Sequence, residues 1–196
     1  MKEGNINNMH LIEIDDFVRR FSARQGKLMW FLGAGASIAA GIPSAWNMIQ
    51  EFKQKLYTSK NHISPKAVSD LSNPAIHSLL QSFIDNTGIY PSEGDPEEYA
   101  ALFEAVCPTE IDRQNYIEKK ISLGKPSYGH IALATLMHND WARIVWTTNF
   151  DHLIADACSK VYGSTLPLTS VDLDSSPKLP DLISNERWPI EVKLHG

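Results

Sequence analysis

Apolar residues recur along this chain with two periods. Leu11, Ile14, Phe17, Val18 and Phe21 fall at helical spacing, with Asp15 and Asp16 early and Arg19, Arg20 and Arg24 late. That pattern predicts an amphipathic helix whose charges suit its dipole. Residues 27–32 form a short apolar run ending at Gly33, as a buried strand would. Ser44 stands where it can cap a helix with Trp46, Ile49, Phe52 and Leu56 on one face. Residues 57–74 are polar, hold Ser64-Pro65 and Asn73-Pro74, and read as a loop. Ile76, Leu79, Leu80, Phe83 and Ile84 predict the next helix, and residues 87–94 a turn region. Asp95-Pro96-Glu97-Glu98 combines a capping aspartate, proline at the first helical position and glutamate three after the cap. Tyr99, Leu102, Phe103 and Val106 would be the apolar side of that helix. Thr109 can open another through Tyr116, Ile117 and Ile121, and Ser127 one with Ile131, Ala134 and Met137.

Residues 143–147 are a second strand candidate, followed by a helix carrying Leu153, Ile154, Ala157 and Val161. Residues 163–189 hold four prolines with scattered Ser and Asp, and read mostly as loop. Residues 190–194 alternate Ile, Val and Leu with Glu and Lys, which predicts a third strand. The layout is strand, turn and helix, then a run of helices, then strand, helix and strand. It predicts an α/β fold: a single domain over residues 1–196 with a Rossmann-like parallel sheet. A helical insertion, about residues 57–139, separates the glycine-rich motif from the Thr147-Thr148-Asn149-Phe150-Asp151 motif.

Composition narrows the function classes. A chain with 43% hydrophobic and 21% charged residues reads as an ordinary globular protein rather than a disordered one. Its net charge of -5, without a dense Lys/Arg cluster, gives no reason to expect a nucleic-acid partner. The first eight residues have no apolar core, which argues against a secretory signal. Residues 28–50 are uncharged but are broken by Gly33, Gly35, Gly41 and Pro43, so no membrane span is expected. The two cysteines, Cys107 and Cys158, form no Cys-x-x-Cys pair, so neither zinc nor a disulfide framework is indicated. A reducing cytoplasm is the expected location.

Three polar clusters follow the three predicted strands. In an open parallel sheet, ligands bind beyond the carboxyl ends of the strands. Gly33-Ala34-Gly35-Ala36-Ser37, with Gly41-Ile42-Pro43, is a phosphate-approach signal, because glycine lets backbone N–H groups come close to an anion. It is incomplete as a dinucleotide fingerprint, since Ile38 stands where the third glycine would be. A tight strand-to-helix turn without a ligand is the plain alternative. Asn149 has an amide that both donates and accepts, suited to a ribose hydroxyl or a water. Asn149 or Asp151 would equally serve as a helix cap, and the two roles can divide: Asp151 capping, Asn149 facing the crevice. His195 precedes Gly196 at the third strand end and suits proton transfer near neutral pH. His10, His62, His77, His130, His138 and His152 call for no special role. Glu97, Glu98 and Glu104 read as a solvated helix face.

Together these motifs resemble the Sir2 (sirtuin) superfamily. Gly33–Ser37 with Gly41–Pro43 matches its Gly-Ala-Gly-x-Ser…Gly-Ile-Pro, residues 147–151 its Thr-Gln-Asn-x-Asp, and His195-Gly196 its His-Gly. The departures point to one branch. Ser44-Ala45-Trp46 replaces the Asp-Phe-Arg of the deacylases, Thr148 replaces Gln, and four zinc-binding cysteines are not available. Residues 95–107 and 126–130 look like the helical insertion of bacterial Sir2-like proteins. Those are commonly N-terminal effector domains of antiphage defence proteins and hydrolyse NAD. The resemblance implies that Asn149 and His195 are catalytic. It also implies that Gly33, Ala34, Gly35, Ser37, Gly41, Pro43, Thr147 and Asp151 hold NAD, without a metal. It further implies a homo-oligomer, a C-terminal sensor domain, and strands beyond Gly196 that hold the adenosine side of NAD, so the chain reads as truncated. NAD-dependent lysine deacylation and a non-catalytic NAD- or ADP-ribose-binding or assembly module are the alternative functions.

Overall fold

The computed structural model describes residues 11–163 and 168–194. In chain order the elements are α1 (Ile14–Ser22), β1 (Met29–Leu32), α2 (Gly35–Ile38), α3 (Ala45–Asn61), α4 (Pro74–Thr87), α5 (Glu98–Val106), α6 (Glu110–Ile121), α7 (Tyr128–His138), β2 (Ile144–Thr147), α8 (Leu153–Tyr162), β3 (Thr169–Val171), α9 (Leu179–Ser184) and β4 (Ile190–Lys193). They form two compact units. Among the described residues no helix is long and apolar enough to cross a membrane.

Among the described residues, the first unit combines residues 11–32, 128–148, 154–163 and 168–194 around a four-stranded sheet. Strand order is β1-β2-β4-β3, and every pairing is parallel, as a Rossmann-like α/β fold requires. The inner strand β2 is apolar on both faces up to Thr147, as a parallel sheet covered on both sides favours, whereas β4 alternates Ile190 and Val192 with Glu191, which is buried and accepts from the Ser170 hydroxyl. On one face Val145 packs with Leu133, Ala134 and Met137 of α7 and Ile154, Ala157 and Cys158 of α8. On the other, Ile144, Ile190, Val192 and Val171 pack with Leu179 and Leu182 of α9. The fourth strand, β3, and helix α9 arise inside the proline-rich stretch expected to be mostly loop. Thr169 N donates to Pro189 O at 3.0 Å, so pairing with β4, rather than any local pattern, makes that strand.

The second unit combines residues 33–127 with residues 149–153 and is helical. Its core is aromatic. Phe52 of α3 is fully buried and stacks on Phe103 of α5 at 5.2 Å, with Tyr99 and Tyr116 packed around the pair. A smaller cluster joins Ala40, Ile42 and Leu153. Gly124 approaches it so closely that an added Cβ would sit 2.9 Å from Ile42 Cγ1, and Lys125 N donates to Ala40 O.

Several boundaries differ from the sequence expectation. Helix α3 continues through residues 57–61, where a loop was expected, because Thr58 is buried and donates its hydroxyl to Gln54 O. His62 then closes the helix in the left-handed conformation. Pro74 is not loop but the first residue of α4, capped by the Asn73 side chain. At Asp95-Pro96 the converse holds: α5 begins only at Glu98, and Asp95 accepts from Glu97 N in a turn instead of capping. Glu98 itself is buried, whereas Glu97 and Glu104 are exposed. Its carboxylate pairs with Lys53 and accepts from Gly94 N, so it is no part of a solvated face. Thr109 and Asp112 form the capping box of α6.

Candidate active site

Both the glycine-rich motif from Gly33 onward and residues 149–153 belong to the helical unit. The glycine motif folds into a tight turn and the single-turn helix α2. Ala36 N donates to Gly33 O and Ser37 N to Ala34 O, so the local bonds close within the motif. Ala34 and Gly35 lie on the surface, and a Cβ added at Gly35 would meet nothing within 4 Å. Packing therefore does not demand glycine there. Gly41 is different: its φ of +91° is in the left-handed region that favours glycine. It turns the chain so that Ile42 N reaches Ser37 O, and half-buried Pro43 follows.

Asn149 and Asp151 point inward, 8% and 7% exposed, while Phe150 between them is 52% exposed. The Asn149 amide donates twice from Nδ2, to Gly33 O at 3.0 Å and to Ser37 Oγ at 3.0 Å. Ser37, 4% exposed, donates its hydroxyl to Asp151 Oδ2 at 2.5 Å. The second carboxylate oxygen of Asp151 accepts from Leu153 N at 3.1 Å, where α8 begins. Thus three of the expected site residues, Ser37, Asn149 and Asp151, meet in one chain of bonds that begins on Gly33. Asp151 does cap the following helix, as expected, and it also holds Ser37.

The bonds fix the amide's orientation on chemical grounds. A backbone carbonyl only accepts, so the group facing Gly33 O must be the NH₂. Ser37 spends its one proton on the carboxylate and accepts from the same NH₂. The other polar atom of the amide, Oδ1, is an acceptor, the kind of group a ribose hydroxyl or a water donates to.

The remaining expected residues fall elsewhere. Thr147 is buried at the end of β2, in the sheet unit, in register with Leu32 and Lys193. Leu194 N donates to Thr147 O at 2.8 Å, so β4 keeps pairing up to the residue before the histidine. His195 and Gly196 lie outside the described residues. Trp46, at the place of the deacylases' arginine, stacks on His77 with ring centroids 5.8 Å apart. No sequence signal announced that contact.

No family model matches the chain. Over 139 residues it is 29% identical to Defense-associated sirtuin 2 of Bacillus subtilis, a match covering 71% of this chain and 11% of that protein. The chain therefore spans a small part of that relative's length. The glycine and Thr-Thr-Asn-Phe-Asp motifs in order, the all-parallel sheet and this similarity all support the resemblance to a Sir2-like domain.

Proposed function

We propose that this domain hydrolyses NAD to nicotinamide and ADP-ribose, as the effector part of a bacterial defence protein. The observation that carries the reading is the buried Asn149 amide, held by Gly33 O and Ser37 Oγ. A side chain fixed that firmly beside a glycine-rich turn is suited to orienting a sugar or a water. The name of the relative joins a sirtuin to defence, which supports the biological half of the proposal.

In the proposed reaction the bond from the ribose anomeric carbon to the pyridinium nitrogen breaks, and its electron pair stays on nicotinamide. Water forms the new carbon–oxygen bond and gives up a proton. The ribose passes through oxocarbenium character, as in glycoside hydrolysis. Asn149 orients the water or the ribose, and His195 takes the proton. The open backbone at Ala34 and Gly35 leaves room for the pyrophosphate to come close. Gly33, Gly41 and Pro43 shape that turn, and Thr147 serves from the end of β2. Deacylation is the weaker reading because two cysteines cannot supply a four-cysteine zinc module.

The test is nicotinamide and ADP-ribose formation from NAD with no acylated peptide present. A general base in reach contributes roughly 10²–10⁴-fold, so His195→Ala should lose about that much. Turnover that needs an acyl-lysine peptide would replace this reading with deacylation.

A further inference from the structure

We infer that the helical unit carries a second ligand site, for a small aromatic carboxylate, at the far end of α3 from the glycine-rich turn.

Helix α3 starts at the Ser44 cap, directly after Gly41-Ile42-Pro43. Leu56 and Lys60 stand 12 and 16 residues past that cap, roughly 18–24 Å along the helix axis. There a cavity of about 280 Å³ opens between the last turns of α3 and α4. Leu56, Ser59 and Lys60 line it from α3, and Phe83 and Thr87 from α4. Gly88, with a φ of +62°, then turns the chain so that Ile89 and Tyr90 close the remaining side.

The walls are held in place. Leu56, Phe83 and Tyr90 pack against the aromatic core around Phe52, so the cavity is an opening in that core. Phe83 meets Tyr57 edge-on, with ring centroids 5.3 Å apart. Thr87 Oγ1 donates to Ile84 O at 2.7 Å and accepts from Ile89 N at 3.3 Å, which fixes the turn after α4. Ile89 at the rim is nevertheless 78% exposed, so an apolar ligand seated there would take its side chain out of water.

Size and charge select the ligand. A cavity of roughly 150 Å³ lined by Leu, Ile and Phe holds a benzene ring. The larger volume here leaves room for a ring with one short arm. It is too small for a dinucleotide, since sites that enclose drug-sized molecules begin at roughly 300 Å³. The backbone carbonyls at this end are engaged by their own caps: Thr58 O accepts from Ile63 N, Ser59 O from His62 N and Asp85 O from Gly88 N. Lys60 is the one charged residue in the lining. Residues 54–69 around it add Lys55 and Lys66 and contain no Asp or Glu. Asp85 of α4 lies outside the lining and accepts from Gln81 Nε2. A carboxylate on the arm thus meets a positive mouth, while the ring rests on Leu56, Phe83 and Tyr90.

The test titrates the whole chain with phenylacetate and with phenylacetamide, its neutral isostere, and follows ¹⁵N–¹H signals. Phenylacetate, with about ten heavy atoms, should bind saturably with a Kd on the order of 1 mM and shift the amides of Ile89 and Tyr90. Phenylacetamide should bind about 3-fold more weakly, the difference that one solvent-exposed ion pair supplies. Lys60→Met should erase that difference while both probes still bind. Ile89→Asp removes an apolar wall and sets an acid at the rim, and should weaken phenylacetate about 10-fold. Both residues are exposed, so neither substitution disturbs the core. Added NAD should leave the shifts in place. The absence of a saturable shift, equal binding of the two probes by the parent chain, or displacement of phenylacetate by NAD would each overturn the inference.

Discussion

Replacing Lys53 with Met should destabilise the protein more than any surface change can. Lys53 is fully buried, with Nζ 2.7 Å from Glu98 Oε1 and a further hydrogen bond to Gln81 Oε1. Glu93 Oε1 is a more distant neighbour at 3.9 Å. At an effective dielectric constant of 20, two charges 2.7 Å apart attract by about 6 kcal/mol. Desolvating the pair consumes most of that gain, so the intact pair contributes little net stability. Removing one member is another matter, since it strands a buried charge at a cost of roughly 3–5 kcal/mol. Lys53→Met alone should therefore lose about 3–5 kcal/mol in urea unfolding followed by circular dichroism. Glu98→Leu alone should lose a similar amount and also forfeits the contact to Gly94 N, itself worth about 1 kcal/mol. The double substitution removes both charges and should lose at least about 2 kcal/mol less than the sum of the singles. Losses that simply add, or a Lys53→Met loss below about 1 kcal/mol, would refute the claim that this pair is desolvated and coupled.

Other consequences are as specific. Gly35→Ala meets no neighbour and no positive φ, so it should leave stability within about 0.5 kcal/mol of the parent. It should raise KM for NAD several-fold if that open backbone is where the cofactor lies, and an unchanged KM would remove Gly35 from the site. Gly41→Ala should cost about 1–2 kcal/mol in thermal unfolding, because its φ is +91°. Burial, with a smaller contribution from the Glu191 charge, pushes the Cys158 thiol up to about 11. Its folded pKa lies above its unfolded value near 9, so the protonated thiol favours the folded state. That contribution is complete below about pH 9 and is lost as pH rises toward about 11. In a Cys107→Ala background, iodoacetamide at pH 8 should modify Cys158 only after unfolding, and rapid native labelling would contradict the burial.

Much of the sheet was legible from apolar runs, although β1, expected as a buried strand, leaves Met29 and Phe31 exposed. β1, β2 and β4 each follow a continuous or alternating apolar run, and each ends where the motif residues begin. β3 was not legible: three residues, Thr169–Val171, are too short for a period, and long-range pairing with β4 creates them. Asn73-Pro74, read as loop, starts a helix, while Asp95-Pro96, read as a helix start, does not. The difference is tertiary, since the Glu98 carboxylate leaves the cap to reach Lys53 and Gly94. The site was legible as residue types at strand ends. Its wiring was not, because Ser37 and Asp151 are 114 positions apart and no local pattern says that one donates to the other. Asn149 was expected to face the crevice with an amide that both donates and accepts. The structure commits both N–H bonds to the protein.

The central claim is tested most directly by nicotinamide release from NAD by the chain, measured beside Asn149→Ala and His195→Ala with NAD binding followed in parallel. The account predicts release by the parent chain that falls by at least about 100-fold in both variants while NAD still binds. Release that continues undiminished in Asn149→Ala would contradict it.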